Sequence, residues 1–178
     1  MDGSWAVPAM VKAARLGDGG AMDRLYRQFA PVVHGVLLSY VQYADADDLT
    51  QDVFETALQR LHELRDDAAF PGWIVSIARR AALDAKRRVV PLTGVALDAG
   101  TGRGSVEERL EVERSLRAIR ALPEAYRETL VLRLVEGLTG PEIAERTGLT
   151  PGSVRVNLHR GMAQLREALD IGQRGQET

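Results

Sequence analysis

The 178-residue sequence predicts an all-α protein: two small helical domains joined by a flexible linker, the C-terminal one a helix-turn-helix. Three observations lead to this fold class. Apolar residues recur at spacings of three and four along most of the chain, the period of a helix with one buried face. Only 5% of the residues are aromatic, while alanine, leucine and arginine are abundant, which favours helices. Residues 91–106 break the periodicity and contain four glycines, so they are the expected linker between domains 1–90 and 107–178.

The composition excludes several classes of protein. There are no cysteines, which rules out disulfides and thiolate metal sites. No apolar run approaches the roughly 20 residues of a membrane span, and no signal peptide opens the chain. We therefore expect a soluble, cytoplasmic protein without membrane insertion. The three histidines lack metal-ligand spacing and no glycine-rich loop follows a strand, so neither an enzyme nor a cofactor or metal site is expected.

The N-terminal domain opens with two predicted helices. The first covers residues 9–16 and ends at Gly17. Asp18 is a suitable N-cap for the second, which is expected to run from about residue 21 to residue 43 with a continuous buried face. His34 lies among the apolar positions of that face and is interpreted as a partly buried structural histidine.

The next predicted helix, residues 45–64, has an apolar side and an acidic side. The apolar side is expected to be buried and consists of Leu49, Val53, Phe54, Ala57, Leu58 and Leu61. Residues 45–55 contain five acids and no base, which gives this segment a local charge of −5. The helix dipole favours acids near the N-terminus, so a solvated face is one interpretation; a docking face for a basic partner is the other.

A loop and a basic helix complete this domain. Phe70 looks exposed in the loop, Pro71 suits a helix start, and the helix is expected over residues 72–89. Residues 76–90 contain five bases and one acid, a local charge of +4 that the overall charge of −2 conceals. Basic residues beside Phe70 and Trp73 suit single-stranded nucleic acid, where aromatic rings stack on bases. The alternative is that both rings belong to the core.

The C-terminal domain ends in a helix-turn-helix. An amphipathic helix over residues 107–122 turns Val112, Leu116, Ile119 and Leu122 inward, and a second covers residues 124–135. Thr139 and Glu142 then have the spacing of a capping box, and Gly148 can take the positive φ that ends a short helix. Thr150 can cap the final helix, with Pro151 in its first turn.

The final helix has one apolar stripe and one basic side. The segment from residue 150 to residue 166 contains three arginines and no acid. Such a side suits the major groove of DNA, where arginine reaches phosphates or guanine. An ordinary solvated surface helix is the alternative. The side opposite the stripe carries Gly152, Arg155, Val156, His159 and Arg160.

Three stretches resemble one family. They are LYRQFAPVVHGVLLSYVQYADADDLTQDVF from Leu25, FPGWIVSIARRAALDAKRR from Phe70, and LPEAYRETLVLRLVEGLTGPEIAERTGLTPGSVRVNLHRGMAQLREAL from Leu122. In combination and in this order they resemble bacterial RNA polymerase sigma factors of the extracytoplasmic-function group, the minimal two-domain kind. Departures are Ala57-Leu58, near which a tryptophan is frequent, Arg80 in place of asparagine, and Pro71 in place of arginine.

The resemblance implies two sets of site residues in the N-terminal domain. The acidic helix matches the segment that docks on the clamp coiled coil of the polymerase's largest subunit, here Asp48, Gln51, Asp52, Phe54 and Glu55. The loop and the basic helix match the part that captures a flipped base and flanks the melted non-template strand of the minus-ten element. These residues are Arg65, Asp66, Asp67, Phe70, Trp73, Arg79, Arg80, Lys86, Arg87 and Arg88.

For the C-terminal domain, the resemblance implies recognition of the double-stranded minus-thirty-five element and a contact with the polymerase flap. The matching DNA-binding residues are Thr150, Gly152, Ser153, Arg155, Val156, His159 and Arg160. The family also implies an anti-sigma factor that restrains the free protein. Two other functions stay open: a stand-alone helix-turn-helix regulator with an N-terminal sensing or dimerisation domain, and a sigma-like protein that only sequesters a partner.

Overall fold

A computed structural model of the protein describes residues 6–88 and 106–174. Within these ranges the chain forms helices and turns without a strand, which confirms the all-α prediction. The predicted linker, residues 91–106, lies outside the described residues except for Val106. The helices are α1 (Val7–Arg15), α2 (Gly19–Leu38), α3 (Tyr43–Arg60), α4 (Phe70–Arg88), α5 (Val106–Arg120), α6 (Glu124–Leu134), α7 (Gly140–Thr147) and α8 (Pro151–Arg174), with short 3-10 helices at Leu61–Glu63 and Asp67–Ala69.

The N-terminal half, residues 6–88, packs around α2. This helix contacts α1, α3 and α4, and its apolar side forms the centre of the core. As predicted, Asp18 caps it: the Asp18 carboxylate accepts a hydrogen bond of 3.0 Å from the Ala21 amide. Fully buried residues of this core include Phe29, Val32, Val33, Val36, Leu37 and Ile74.

The second helix ends earlier than its apolar pattern predicted. α2 stops at Leu38, and a turn leads to α3 at Tyr43, so the expectation of one helix to residue 43 is wrong. The turn itself is buried: Ser39 is fully covered, and Tyr40 and Val41 are less than one-tenth exposed. Because the Ser39 hydroxyl donates to the Val36 carbonyl at 2.6 Å, the buried polar group is satisfied. The apolar pattern therefore extends past the end of the helix because the turn that follows is buried as well.

The C-terminal half, residues 106–174, packs α8 against α6, α7 and α5. The predicted capping box is present: the Thr139 amide donates to Glu142 at 2.8 Å and the Glu142 amide to the Thr139 hydroxyl at 3.4 Å. Gly148 ends α7 with φ 76°, and the Thr150 hydroxyl accepts from the Ser153 amide at 3.1 Å. The helix-turn-helix prediction is therefore confirmed in its local details.

The two halves pack against each other, a contact that the sequence did not predict. α6 and α7 lie on α2 and α4. Gly35 of α2 sits directly under α6: a Cβ atom there would be 2.7 Å from Leu132 Cδ2 and 2.9 Å from Glu136 Cγ. Gly148 in the helix-turn-helix also lies near Gly72 of α4, but a Cβ atom there would make only an ordinary contact of 3.5 Å with the Gly72 Cα, so it is the positive φ of 76° that favours glycine at this position. A glycine thus permits close helix packing at one point of this interface, Gly35.

Two apolar residues expected in the core are on the surface. Leu58 is 43% exposed and Val112 is 56% exposed, so both burial predictions are wrong. Leu116 and Ile119, on the same stripe as Val112, are buried as predicted. Periodicity identifies the inward face of a helix, but it does not say how far along the helix the neighbouring elements extend.

Candidate nucleic-acid and partner interfaces

The acidic side of α3 is an open surface. Asp48, Asp52 and Glu55 are exposed, and none forms an ion pair with a residue in the described ranges. Gln51 is exposed beside them. Opposite, Val53 and Ala57 turn into the core, which fixes the rotation of the helix. We call the four exposed residues the acidic face; its charge is available to a partner.

Phe54 does not share this surface. It is 8% exposed, and its ring centroid lies 4.7 Å from that of Tyr26. Its prediction as part of the buried arc is confirmed, whereas its place among exposed docking residues is not supported by its position. Phe54 therefore helps to hold α3 against α2.

The expectation of an exposed Phe70 is wrong. Phe70 is the first residue of α4, 2% exposed, and its ring centroid lies 5.1 Å from that of Phe29 in an edge-on arrangement. Trp73 lies 5.9 Å from Phe70 and is only partly buried, in agreement with a ring that serves both core and surface. Without a rearrangement of the core, Trp73 can stack on a base and Phe70 cannot.

The loop before α4 is held by a residue that the sequence did not indicate. The Arg15 guanidinium, at the end of α1, donates to the Leu64 carbonyl at 2.8 Å and pairs with Asp67 at 2.7 Å. Asp66 caps the short helix that follows by accepting from the Ala68 amide at 3.0 Å. Three charged loop residues are predicted to contact DNA. Of these, only Arg65 is exposed and forms no side-chain hydrogen bond or ion pair with the described residues.

Arg15→Ala is expected to loosen this loop without unfolding the N-terminal half. The substitution removes two charge-assisted contacts worth about 1–3 kcal/mol together, so the amides of residues 64–69 should exchange hydrogen roughly tenfold faster. Hydrogen exchange detected by mass spectrometry measures this directly. Lys12→Ala is the matched control, because Lys12 is exposed on the same helix. Equal exchange rates in Arg15→Ala and the parent protein would show that the loop is stabilised by contacts other than those of Arg15.

The basic side of α4 is exposed except at one arginine. Arg80, Lys86, Arg87 and Arg88 are open to solvent, and Arg80 and Arg88 line a groove between α3 and α4 that also contains Trp73. Arg79 instead turns to the C-terminal half, where it forms two hydrogen bonds with Glu128. Of the predicted minus-ten residues, the structure thus brings Trp73, Arg80 and Arg88 together at one groove and places Arg79 in an interface.

Glu128 is the functional candidate that sequence reasoning missed. It is 5% exposed on α6, and its carboxylate also accepts from the Tyr40 hydroxyl at 2.9 Å. The signal in the sequence is the consecutive apolar run Leu130, Val131 and Leu132 shortly after Glu128, which predicts a helix covered on more than one side. The structure buries residues 128–132, and a buried carboxylate requires a partner.

The second helix of the helix-turn-helix presents its predicted face to solvent. Thr150, Gly152, Ser153, Arg155, Val156, His159 and Arg160 are all exposed. Val154 and Leu165 anchor the opposite side in the core. Arg155 forms no ion pair with any residue that the structure describes. Glu142, which could have been its partner, pairs with Arg146 at 3.3 Å instead. The Arg155 guanidinium is therefore available.

His34 occupies the interface between the halves. Its Nδ1 lies 2.7 Å from Glu136 Oε1, and its Nε2 lies 3.3 Å from Asp47. The side chain is 15% exposed, which confirms a partly buried structural histidine.

No described helix combines the length and hydropathy of a membrane crossing.

Comparison with known proteins assigns both halves. The family models for sigma-70 region 2 and sigma-70 region 4 match residues 25–89 and 113–165. The chain is 32% identical to the RNA polymerase sigma factor CarQ of Myxococcus xanthus over 163 residues, which cover 87% of this chain and 94% of CarQ. It is 30% identical to the ECF RNA polymerase sigma factor SigD of Mycobacterium tuberculosis over 176 residues, or 90% of this chain and 82% of SigD.

A solved structure has the same fold. CnrH, in complex with the cytosolic domain of CnrY, superimposes with a TM-score of 0.63 at 23% identity and covers 93% of this chain and 97% of its own. Regions 2 and 4 match in this order along the chain, and the matches to CarQ and SigD cover most of each protein. The chain therefore belongs to the extracytoplasmic-function group of the sigma-70 family of RNA polymerase sigma factors.

Proposed function

We propose that this sigma factor binds core polymerase through the acidic face of α3 and reads promoters with α4 and α8. The observation that supports this proposal most strongly is that an unpaired acidic face and two basic, exposed helix faces occur in one chain. A stand-alone regulator needs the basic face of α8 but has no use for the other two. The division of labour proposed here follows the two matched regions, with boundaries at residues 1–90, 91–106 and 107–178.

Charge supports the polymerase contact. Asp48, Asp52 and Glu55 project from one side of a helix whose other side is fixed in the core, so the face is rigid. Opposite charge on a partner would accelerate docking and select its orientation. The clamp coiled coil of the largest subunit is the proposed partner, and the polymerase flap is proposed for the C-terminal half. This assignment puts the protein in the cytoplasm with its polymerase.

For the minus-ten element, Trp73 supplies a stacking ring at the edge of the groove between α3 and α4. Arg80, Lys86, Arg87 and Arg88 supply positive charge along the same helix for the backbone of the melted strand. Arg65 is proposed at the loop end of this path. An anti-sigma factor is proposed as the restraint on these surfaces, as the family membership implies.

For the minus-thirty-five element, α8 is the proposed recognition helix. Recognition helices present the residues of their first turns to base edges in the major groove. Arg155 is in that position, exposed and without a described ion pair. His159 and Arg160 follow one turn later and are proposed as flanking contacts.

Arg155→Ala tests this reading. If Arg155 contacts a base, its removal should abolish preference at one or two upstream promoter positions, a discrimination of roughly 1–3 kcal/mol. The measurement is holoenzyme affinity for a panel of single-base changes in that element. Arg166→Ala on the same helix is the control and should leave the preferences intact. A uniform loss across the panel would make Arg155 a phosphate contact, and no loss would exclude this face.

A further inference from the structure

The groove between α3 and α4 contains an acidic residue that a path for the DNA backbone does not explain. The groove has a volume of about 410 Å³ and is lined on its α4 side by residues that include Trp73, Ile77, Arg80, Asp84 and Arg88. The arginines and the aromatic ring suit a single strand. The Asp84 carboxylate, however, repels phosphate groups, so its place in the same groove requires a contact of another kind.

The fold leaves Arg80 and Asp84 free to bind a ligand. Both are exposed, and Arg80 forms no ion pair or side-chain hydrogen bond with a residue in the described ranges. Asp84 lies 3.6 Å from Arg87, but both side chains are at least half exposed, and such surface pairs contribute little to stability. The nearby Ser76 hydroxyl is already committed, because it donates to the Trp73 carbonyl at 2.6 Å.

Arg80 and Asp84 lie on the same side of α4 as Trp73. At 3.6 residues per turn, the three positions fall within an arc of about 40°. The rise of the helix places Arg80 roughly 10 Å beyond Trp73, and Asp84 about 6 Å further along the axis. A strand that stacks one base on Trp73 and continues along the groove therefore brings another base to Arg80 and Asp84.

A guanidinium and a carboxylate side by side distinguish the four bases. Proteins read unstacked bases through hydrogen bonds to their Watson–Crick and Hoogsteen edges. Guanine has the acceptors O6 and N7, to which arginine donates, next to the N1 and N2 donors, from which a carboxylate accepts. Adenine and cytosine each give the carboxylate a single amino group. Thymine is the poorest ligand, because two carbonyl oxygens flank its one N–H group and repel a carboxylate.

We propose that Arg80 and Asp84 are specificity-determining residues that select a guanine in the melted strand, close to the base that stacks on Trp73. Arg80 donates to O6 or N7 of this guanine, and Asp84 accepts from its N1 and N2 groups. Lys86, Arg87 and Arg88 are left for the phosphates. This inference rests on the proposed function in one respect, since the groove must take a single strand; it adds which base is read and by which residues.

Stacking on Trp73 gives a direct measure of binding in this groove. The chain has two tryptophans, so Trp5→Phe leaves Trp73 as the only one, and a base that stacks on its ring should quench its fluorescence. The full-length Trp5→Phe protein is titrated at low salt with three DNA oligonucleotides of eight nucleotides. One contains only thymidine, and the others have a single guanosine or a single cytidine near the middle. The guanosine oligonucleotide should bind at least about fivefold more tightly than the thymidine one, with the cytidine oligonucleotide between them.

Three variants in the same background assign this preference to residues. Asp84→Asn should reduce the guanosine preference to less than about twofold, because an amide donates as well as accepts. Arg80→Lys keeps the positive charge but loses the planar fork, so it should lower the preference while the affinity for the thymidine oligonucleotide stays within about twofold. Asp23→Asn is the matched control: it removes the same charge at an exposed position of α2 outside the groove and should retain the preference.

The ratio of affinities, rather than the affinity itself, decides the outcome, because the loss of any acid strengthens binding to all three oligonucleotides alike. Equal affinity of the Trp5→Phe protein for the three, or a guanosine preference that survives Asp84→Asn, would overturn the selection of guanine while single-strand binding by the groove stands. A preference for cytidine over guanosine would also overturn it. Absence of quenching with every oligonucleotide would contradict both this inference and the proposed single-strand contact of Trp73.

Discussion

Phe70→Ala is expected to lower the free energy of unfolding of the N-terminal half by about 3–5 kcal/mol. The ring is 2% exposed and packs edge-on against Phe29, so its removal leaves a cavity where α2 meets the start of α4. Urea unfolding followed by circular dichroism measures the loss. Leu83→Ala is the control: Leu83 is 41% exposed on the same helix, and its removal should cost less than about 0.5 kcal/mol.

The result separates two roles for the ring. A base-capturing Phe70 would show loss of promoter opening at unchanged stability, detected as lower permanganate reactivity of unpaired thymines. A stable Phe70→Ala protein would therefore contradict the structure at this residue. Trp73→Ala is expected to reduce opening at a smaller stability cost, because its ring is only partly buried.

Asp52→Arg is expected to weaken core polymerase binding by at least tenfold while the fold stays intact. Asp52 is exposed, so the reversal disturbs no packing, but it places a positive charge toward a basic partner. Titration of labelled protein with core polymerase measures the change. Asp23→Arg is the matched control, since it makes the same reversal at an exposed position of α2.

The salt dependence gives the Asp52 prediction a second criterion. If the contact is electrostatic, the difference between parent and variant should shrink as salt rises from low to high concentration. Equal affinity of Asp52→Arg and the parent protein at low salt would remove the acidic face from the polymerase interface.

Local features of this fold could be predicted from the sequence because neighbouring residues determine them. The capping box of Thr139 and Glu142, the positive φ of Gly148 and the caps at Asp18 and Thr150 each depend on atoms within a few residues. The exposed faces of α3 and α8 followed from helical periodicity alone. These features include the DNA-facing and acidic surfaces proposed as functional.

What could not be predicted depends on contacts between distant residues. Phe70 follows an irregular loop, where periodicity gives no face, and only the position of Phe29 shows that the ring is buried. Arg15 meets the loop from another helix, some fifty residues earlier in the chain. The hydrogen bond between Arg79 and Glu128 crosses the interface between two halves that the sequence predicted to be separate domains.

The most direct test of the proposed function is transcription by purified core polymerase on genomic DNA, with and without this protein, followed by mapping of transcript starts. We predict starts that appear only when the protein is present, preceded by shared sequence elements about 10 and 35 base pairs upstream. These starts should disappear with Asp52→Arg and change their upstream preference with Arg155→Ala. Identical starts with and without the protein, at concentrations that saturate core binding, would contradict its function as a promoter-directing sigma factor.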